Sequence, residues 1–469
     1  MKKAFIFYLT ACLPLFLFAQ ESSLTVEQAV GCAIANNPDI TAAKRDAEKA
    51  SYGAAAAKGH YLPKIDITAL AVKTDEAKSL NLNGIREAVI GASVASYAGA
   101  GGANPGLFKS QLESRIPSFE KKLLDDNFVR VMATVAQPVF TGFKISANSA
   151  VKKLEKDIGE INFLHAKNKV ITSVIEDYYR AKFADKVIQI RKDLLTNIEG
   201  HVSNAKKLFG NGMISKANLL RAEVALACAK KDYQTSLMDK DLASILLNNT
   251  LGIDTSGMEL ASPMEMLKDA KPVAYYAQKA DSANTTLRLL ESKKMMLRQK
   301  YKAAVGKLFP DIAAVGQYQL LQDKLTFAEP EWTIGLTASF NVFGGGSDVN
   351  EIRASKAELE ALDARISSVK KLIYTAIRNF YNRCETAKKD YEALETNKIL
   401  AEENLKLFRA SFREGLATSL EVVDAELALT KIKIDRAKAV LDYNTAYANL
   451  LNICAMSEEE LAQNNGEEK

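Results

Sequence analysis

The chain has 469 residues, a formal charge of +5 and charged side chains at 25% of its positions. This near balance of acids and bases gives no indication of nucleic acid as a partner. Only three histidines occur, and the sequence has neither a GxxxxGK[ST] run nor an HExxH run. We therefore expect no enzyme: no catalytic residues, no cofactor and no metal. The cysteines beyond Cys12 are isolated, which is typical of single thiols packed in helices rather than of a disulfide framework.

The N-terminus has the layout of a cleaved signal peptide. Met1-Lys2-Lys3 precedes an apolar run from Ala4 to Ala19, and a polar stretch follows it. This order of charged, apolar and polar segments predicts export, so residues 1–19 are assigned to a signal peptide. Cys12 also fits a lipoprotein cleavage box, and lipidation at that residue stays open.

Two segments of the first half alternate between apolar and polar residues. We predict strands at 64–72 and around Val129, Val131, Ala133 and Val135, because residues two apart in a strand share one face. Between these strands, residues 73–128 hold six glycines in a polar setting. This segment is expected to be a long exposed loop.

A pair of long helices is predicted next. Residues 139–262 contain no proline, which favours helix because one proline in a helix interior costs about 3 kcal/mol. Ile171, Val174, Tyr178 and Ala181 step by three and four residues, as along a coiled-coil seam. A turn near Gly212 would leave a first helix of about 100 Å at 1.5 Å per residue. On these helices alone, a soluble coiled-coil spacer is the simpler interpretation.

The second half follows the same order. Residues 311–343 predict a β-hairpin, and the proline-free span 331–469 predicts a second helical hairpin that turns near Gly415. Within the β-hairpin, apolar residues alternate with small polar ones, which is the pattern of a transmembrane β-strand. The residues predicted to face lipid are Trp332, Ile334, Leu336 and Phe340.

A repeat relates the two halves. Ser411–Thr418 aligns with Leu208–Ser215 at an offset of 203 residues, and the same offset pairs Val342–Gly345 with Val139–Gly142. Upstream of the strands the offset becomes 247, so the first half carries 44 extra residues inside the predicted loop. We therefore divide the mature chain into a first structural repeat, 20–262, and a second, 263–469.

The predicted strands are too few to close a barrel in one chain. An edge left open in lipid leaves backbone groups without hydrogen-bond partners, so closure requires several copies. Two copies would give eight strands, whose interior is filled by side chains, so a water-filled conduit requires at least three. The predicted fold class is a mixed α/β membrane protein with internally repeated helical hairpins and four transmembrane strands per chain.

Several motifs resemble the TolC-like outer-membrane efflux proteins. The family's opening helix resembles Leu24–Val30 with Asn36–Ile40, and its two strand-to-helix junctions resemble Gln137–Gly142 and Asn341–Gly346. Its periplasmic turn resembles Gly415–Thr418 followed by Val422–Ala425. The resemblance implies a homotrimer with a twelve-stranded barrel in outer-membrane lipid and a helical tunnel through the periplasm. It also implies a periplasmic adaptor and an inner-membrane transporter as partners.

The resemblance further implies two kinds of site. Family members meet the adaptor at their periplasmic turns, which here are Gly212, Met213, Ile214, Ser215, Gly415, Leu416, Ala417 and Thr418. Acidic residues beyond the second turn form the family's periplasmic gate, and Glu421 and Asp424 stand at matching positions. Arg221, in the first repeat, could pair with Asp424 in the closed state. Plain turn chemistry and solvated acids remain the simpler interpretations of these residues.

The implied function is an exit duct of a tripartite efflux pump or of a type I secretion system. The cargo stays open, because a tunnel selects by width and lining charge rather than through a specific pocket. A periplasmic adaptor, or a structural coiled-coil protein, is the alternative. An adaptor would have one helical hairpin between lipoyl-like halves, whereas this chain is predicted to have two hairpins.

Overall fold

The computed structural model describes residues 23–124, 126–255, 257–321 and 330–458, and the predicted signal peptide (1–19) and Cys12 lie outside these ranges. The chain is mostly helical, at 72%. The helices are α1 (Val26–Asn36), α2 (Pro38–Lys58), α3 (Asn83–Gly99), α4 (Pro105–Arg115), α5 (Lys144–Gly210), α6 (Lys216–Leu251), α7 (Val273–Ala283), α8 (Thr285–Gly306), α9 (Ser347–Arg413) and α10 (Ser419–Ile453). The strands are β1 (Ser23–Leu24), β2 (Lys64–Lys73), β3 (Lys78–Asn81), β4 (Glu120–Leu124), β5 (Asn127–Thr141), β6 (Glu259–Leu260), β7 (Asp311–Leu321) and β8 (Trp332–Ser339).

The chain divides into two compact units. One comprises the described residues within Met1–Ser51, Leu154–Met295 and Glu360–Lys469, and the other comprises those within Tyr52–Lys153 and Met296–Leu359. Each unit therefore takes residues from both halves of the sequence. We call them the helical unit and the sheet unit.

The sheet unit is built on an antiparallel sheet in the order β2-β5-β7-β8. These strands overlap the four predicted from alternation, although β5 and β7 extend further than expected. β5 pairs with β2 from Asn127 to Ala136 and with β7 from Val131 to Thr141. β2 and β8 are the two edges, and each has a partner on one side only.

The segment between β2 and β5 is not the long loop expected over 73–128. It contains the short antiparallel pair β3 and β4, with α3 and α4 between them. Its glycines suggested irregular chain, but α3 contains Gly84 and Gly91, and a glycine in a helix costs only about 1 kcal/mol relative to alanine. Only Gly101 in this segment has a positive φ, 82°, and it lies in the turn after α3.

The helical unit has its largest core around the middle of α5. The predicted seam residues Ile171, Val174, Tyr178 and Ala181 are all buried there, against α1 and α6. Tyr178 donates its hydroxyl hydrogen to the Leu24 carbonyl at 2.7 Å, which ties α5 to the β1–β6 pair. A second core joins α7, α9 and α10.

The four described cysteines form no disulfide, and two of them are packed thiols. Cys32, Cys228, Cys384 and Cys454 are all free. Cys384 and Cys454 are buried, and burial raises the pKa of each thiol to about 12. These two side chains therefore act as apolar packing groups.

Candidate functional sites

One face of the four-stranded sheet is apolar. The register places Ile65 opposite Val135, Val135 opposite Gly316, and Gly316 opposite Ile334, so these four residues form one row across the strands. Because side chains alternate along a strand, the next row on this face lies two residues away. That row consists of Ile67, Ala133, Tyr318 and Trp332.

The opposite face of the sheet is polar. Its central row is Asp66, Thr134, Gln317 and Thr333, which lie side by side in the same register. Every residue of β8 is exposed, and so is nearly every residue of β2. The sheet is thus amphipathic, and one chain leaves its apolar face largely uncovered.

The residues predicted to face lipid are exposed. Trp332, Ile334 and Leu336 lie on alternate positions of β8, and Ile334 and Leu336 are 77% and 75% exposed. Phe340 is also exposed, but it follows Ser339, the last residue of β8, so it lies just beyond the strand rather than in it.

The junction from β5 to α5 requires its glycine. Gly142 has a φ of 56°, and a Cβ there would meet the Gly306 carbonyl oxygen at 2.1 Å. Lys144, at the start of α5, forms an ion pair with Asp311 of β7 at 2.7 Å. The motif that ends in Gly142 therefore fixes a close backbone crossing between the two halves of the sheet unit.

The two predicted turns of the helical hairpins have the same backbone geometry. Gly212 and Gly415 have φ of 71° and 75°, the left-handed conformation that glycine adopts at little cost. The Met213 N–H donates to the Leu208 carbonyl at 2.8 Å, and the Leu416 N–H donates to the Ser411 carbonyl at 2.8 Å. Both turns end in an N-cap.

The N-caps of the helices after these turns differ. The Ser215 hydroxyl accepts from the Asn218 N–H and begins α6. Thr418 begins α10 with a capping box: its hydroxyl accepts from the Glu421 N–H, and the Glu421 carboxylate accepts from the Thr418 N–H at 2.7 Å. Ser215 and Thr418 therefore have a structural role in addition to the predicted contact with an adaptor.

The apolar side chains of the two turns differ in their exposure to solvent. Met213 and Leu416 are exposed, Leu416 at 84%. Ile214 and Ala417 are partly buried in the core beneath the turns. Of the eight predicted turn residues, Met213 and Leu416 are therefore the large apolar side chains that a partner could contact.

The predicted gate residues are not joined in one chain. Glu421, Asp424 and Arg221 are all exposed. The described contacts include no ion pair between Arg221 and Asp424, so a single chain does not form the pair suggested from the sequence. Hydrogen bonds from the backbone and side chain of Thr418 lower the pKa of Glu421, which keeps this carboxylate charged.

A buried polar cluster beside the second turn was missed by sequence reasoning. Glu426 of α10, with a side chain only 3% exposed, forms an ion pair with Arg409 of α9. Asn197 of α5 donates to the same carboxylate at 3.4 Å. Three helices from the two hairpins therefore meet at one carboxylate.

His201 lies next to this cluster. Its Nε2 is 2.8 Å from the Ser419 hydroxyl, and its ring packs against Phe412. Burial, followed by the charge of Arg409, lowers the pKa of His201. The imidazole of His201, which bonds to the first residue of α10, is therefore held in its neutral form.

A repeated ion pair could have pointed to the cluster. Lys206 and Glu223 join α5 to α6 at 3.5 Å, and both residues are 203 positions before Arg409 and Glu426. The first pair is largely exposed, whereas Glu426 is buried. The repeated pair of charges was thus visible in the sequence, but the burial of Glu426 was not.

The second half of the chain carries a recognisable family sequence. Residues 276–455 match the family model described as outer membrane efflux protein. Over these residues the chain resembles the outer membrane efflux proteins. The expected resemblance is thereby confirmed over residues 276–455, and members of this family are outer-membrane channels rather than enzymes. A comparison with curated protein sequences finds no match.

Solved structures share the fold over nearly the whole chain. The outer-membrane channel CmeC of Campylobacter jejuni superposes with a TM-score of 0.74 at 12% identity, over 94% of this chain and 89% of that one. The outer-membrane protein VceC of Vibrio cholerae gives 0.73 at 13%, over 92% and 96%. The open state of the MtrE outer-membrane channel of Neisseria gonorrhoeae gives 0.69 at 15%, over 92% and 88%.

The described residues contain neither a membrane-spanning helix nor a metal-binding cluster. No described helix combines the length and the apolar character needed to cross a membrane. Among the same residues, no group of three or more His, Cys, Asp or Glu side chains is arranged to hold a metal ion.

Proposed function

We propose that three copies of this chain form the exit duct of a tripartite efflux pump or of a type I secretion system. Each copy contributes the sheet β2-β5-β7-β8 to a twelve-stranded barrel in the outer membrane. The two helical hairpins of each copy, one from each structural repeat (20–262 and 263–469), line a tunnel in the periplasm. Substrates reach the tunnel from an inner-membrane transporter through a periplasmic adaptor that contacts the two turns.

The observation that supports this proposal is the amphipathic sheet with two open edges. In the row Ile65, Val135, Gly316 and Ile334 the apolar side chains are suited to lipid, and the opposite polar row is suited to water. In lipid, the outer edges of β2 and β8 would each leave backbone N–H and C=O groups unpaired. Pairing β8 of one copy with β2 of the next satisfies both edges, and it preserves the antiparallel order because the two strands run in opposite directions.

The number of copies follows from the width of the lumen. An eight-stranded barrel has an interior that side chains fill, so a dimer would leave no water-filled path. Three copies give twelve strands and are the smallest closed ring with an aqueous interior. Cyclic symmetry then places every β8–β2 contact in the same environment.

A disulfide between the edge strands tests the closure directly. Cysteine pairs should combine Ile65, Ile67 or Ala69 of β2 with Ile334 or Leu336 of β8, all on the apolar face. In one chain these two strands are separated by β5 and β7, which is about 14 Å at 4.8 Å per strand, far beyond disulfide reach. A disulfide can therefore form only between copies, and we expect dimer and trimer ladders on non-reducing gels for at least one pair.

The control pair is Ala133→Cys with Ile334→Cys. Ala133 lies on the same face but on the inner strand β5, so it should stay about 10 Å from any β8 strand. Purified protein should also give a trimer that dissociates on heating and that conducts ions in planar bilayers. Monomeric, non-conducting protein without edge cross-links would overturn the proposal and would favour the periplasmic adaptor or a structural coiled coil.

A further inference from the structure

The four strands of the sheet each have an exposed large apolar residue at the end that joins a helix. Leu62 precedes β2, Phe143 follows β5, Phe309 precedes β7 and Phe340 follows β8, and all four are exposed. The register brings these four strand ends together at one edge of the sheet. The chain continues from this edge into α2, α5, α8 and α9.

Three phenylalanines pack on one another at this edge, and we call them the phenylalanine cluster. Phe143 meets Phe140 edge to face with ring centroids 5.5 Å apart, and Phe309 lies 6.2 Å from Phe143 and 6.4 Å from Phe140. The cluster nevertheless leaves Phe143 58% and Phe309 43% exposed. Contacts within the chain therefore cover only part of these rings.

The phenylalanine cluster continues the apolar face of the sheet. Phe140 lies opposite Ile312, and Ile312 is four residues from Gly316 on β7, so all three share the apolar face. The register skips Val139, and this irregularity in β5 places Phe140 on that face. The apolar face thus ends in aromatic rings on the side of the helices.

The backbone at Phe143 is independent evidence for a function of its ring. Phe143 has a φ of 64°, a left-handed conformation that strains a bulky residue. The second repeat makes the same turn with Gly346, 203 positions later, at a φ of 79°. Gly142 and Gly345, which precede these two residues, are equivalent in the same way. Glycine would serve the turn at lower cost, so the turn itself does not explain the ring.

The surroundings of the cluster favour lipid over a neighbouring copy as the occupant. In the proposed ring, copies meet along β2 and β8, whereas the cluster lies at the ends of the inner strands β5 and β7. Charged groups begin directly beyond the rings, where Lys144 pairs with Asp311 and Lys307 pairs with Glu351. Aromatic rings between an apolar surface and charged residues are typical of the level at which acyl chains meet headgroups.

We infer that Phe140, Phe143 and Phe309 insert into phospholipid at the periplasmic boundary of the outer membrane and anchor the barrel there. This inference rests on the proposed function. The ion pairs of Lys144 and Lys307 then lie on the aqueous side of the boundary. The strained Phe143 is retained for its contact with lipid, and Gly346 of the second repeat lacks this role.

The chain's single tryptophan makes the depth of the cluster measurable. In Trp332→Phe with Phe143→Trp, the indole lies in the cluster. In liposomes, lipid brominated near the headgroup should quench it about twofold more than lipid brominated at the acyl-chain ends, and acrylamide should quench it weakly. Lys153→Trp in the same background, exposed on α5 and about 15 Å further along that helix, should be quenched by acrylamide alone. Phe309→Trp repeats the measurement at an unstrained position of the cluster if Phe143→Trp assembles poorly.

Phe143→Gly tests the anchor while preserving the turn. Glycine already makes the equivalent turn at Gly346, so the backbone should be retained. We expect the amount of trimer in outer-membrane fractions to fall about threefold, and Phe143→Trp to keep it at the parental level. Leu416→Gly is the matched control, because Leu416 is also an exposed apolar residue directly after a left-handed glycine. Its trimer should be unchanged.

Each other result contradicts the anchor in a specific way. Strong quenching of Phe143→Trp by acrylamide would place the ring in water, and protection from both quenchers would place it against protein. Strongest quenching from the acyl-chain ends would remove the cluster from the boundary, and a parental amount of trimer in Phe143→Gly would remove its role as an anchor. The proposed function is checked separately in the parent chain: if brominated lipid does not quench Trp332 there, the barrel assignment fails first.

Discussion

The four-stranded sheet and the ends of the helical hairpins differ in what one chain leaves unsatisfied. In the sheet, Ile334 and Leu336 are about three-quarters exposed, and both edges lack a partner. At the hairpin ends, Glu426 and His201 are buried, yet each has a partner from another helix. The hairpin ends therefore satisfy their buried polar groups within one chain, whereas in the proposed function the sheet is completed by lipid and further copies.

The same difference appears on a smaller scale between the two hairpins. Lys206–Glu223 and Arg409–Glu426 occupy equivalent positions, but in the second pair the carboxylate is buried and also accepts a hydrogen bond from a third helix, α5. Repeated positions can thus keep a charge pattern while its energetic role changes. The second hairpin should depend strongly on its ion pair and the first only weakly.

The largest effect is expected in the sheet. A lysine in place of Leu336 near the middle of the bilayer should cost roughly 2–4 kcal/mol and reduce the yield of trimer sharply. Thr333→Lys is the matched control, because Thr333 lies on the same strand but in the polar row. Trimer on a gel without heating is the measurement, and equal yields from both variants would disprove the assignment of faces.

The buried ion pair should give the next largest effect. Glu426→Ala leaves Arg409 and Asn197 without their acceptor, and because Arg409 is partly exposed we expect a loss of about 2 kcal/mol rather than the larger cost of a fully buried pair. Glu223→Ala, at the equivalent exposed pair, should cost less than about 1 kcal/mol. Thermal unfolding followed by helical circular dichroism compares them. A loss as small for Glu426→Ala as for Glu223→Ala would contradict the comparison.

A substitution at the turns should change transport without changing assembly of the trimer. Leu416→Glu should lower transport about tenfold, equivalent to 1.4 kcal/mol of lost binding to the adaptor, while trimers stay intact. Leu416 is a better probe than Thr418, because Thr418 caps α10 and its substitution would also destabilise the helix. Glu414→Gln, an exposed polar change beside the same turn, is the control. Unchanged efflux in the Leu416→Glu strain would mean that the turn serves only the fold.

The sequence predicted most of the backbone but little of the second hairpin's polar chemistry. Missing prolines and the spacing of Ile171 and Val174 were sufficient for the long helices, because these signals are local. The strands of the four-stranded sheet were found because the alternation of apolar and polar residues is also a local signal. The helices α3 and α4 were missed because their glycines weaken the local helix signal, whereas the stacking of Tyr97 on Phe108 between them depends on tertiary structure.

The candidate sites also divide into residues that the local sequence predicted and contacts that it could not predict. Gly212 and Gly415 were identifiable because their conformation requires glycine. The hydrogen-bond partners of Arg409 and His201 lie on another helix, so the burial of these contacts could not be derived from spacing. The Arg221–Asp424 pair stays a prediction, because it depends on how copies assemble, and no ion pair joins the two among the described residues of one chain.

The gate prediction needs variants that preserve the helix start. Glu421 belongs to the capping box, so alanine there would disturb α10 as well as remove charge. Glu421→Gln with Asp424→Asn removes both charges from each copy, or six from a trimer, and retains an acceptor for the Thr418 N–H. We expect cation selectivity and block by multivalent cations to weaken severalfold. Glu223→Gln, an exposed acid on the first hairpin, is the control, and double-mutant recordings identical to those of the parent would remove these residues from the gate.

The smallest effect concerns His201 and pH. Burial and Arg409 lower its pKa in the folded chain below the ordinary 6.5, so its contribution to stability is complete above pH 6.5. It is lost as the pH falls toward the folded pKa, because the unfolded chain takes up a proton first. The loss is at most about 1.4 kcal/mol for each pH unit. Arg409 of α9 disfavours the imidazolium, whereas a carboxylate such as the nearby Glu426 of α10 would favour it, so the expected sign requires burial and Arg409 to outweigh that carboxylate. Between pH 7.5 and 5.5 the parent chain should therefore lose more thermal stability than His201→Gln, which can still bond to Ser419 but cannot be protonated. Parallel losses in the two proteins would show that His201 does not titrate in this range, and a smaller loss in the parent would show that Glu426 stabilises the charged ring.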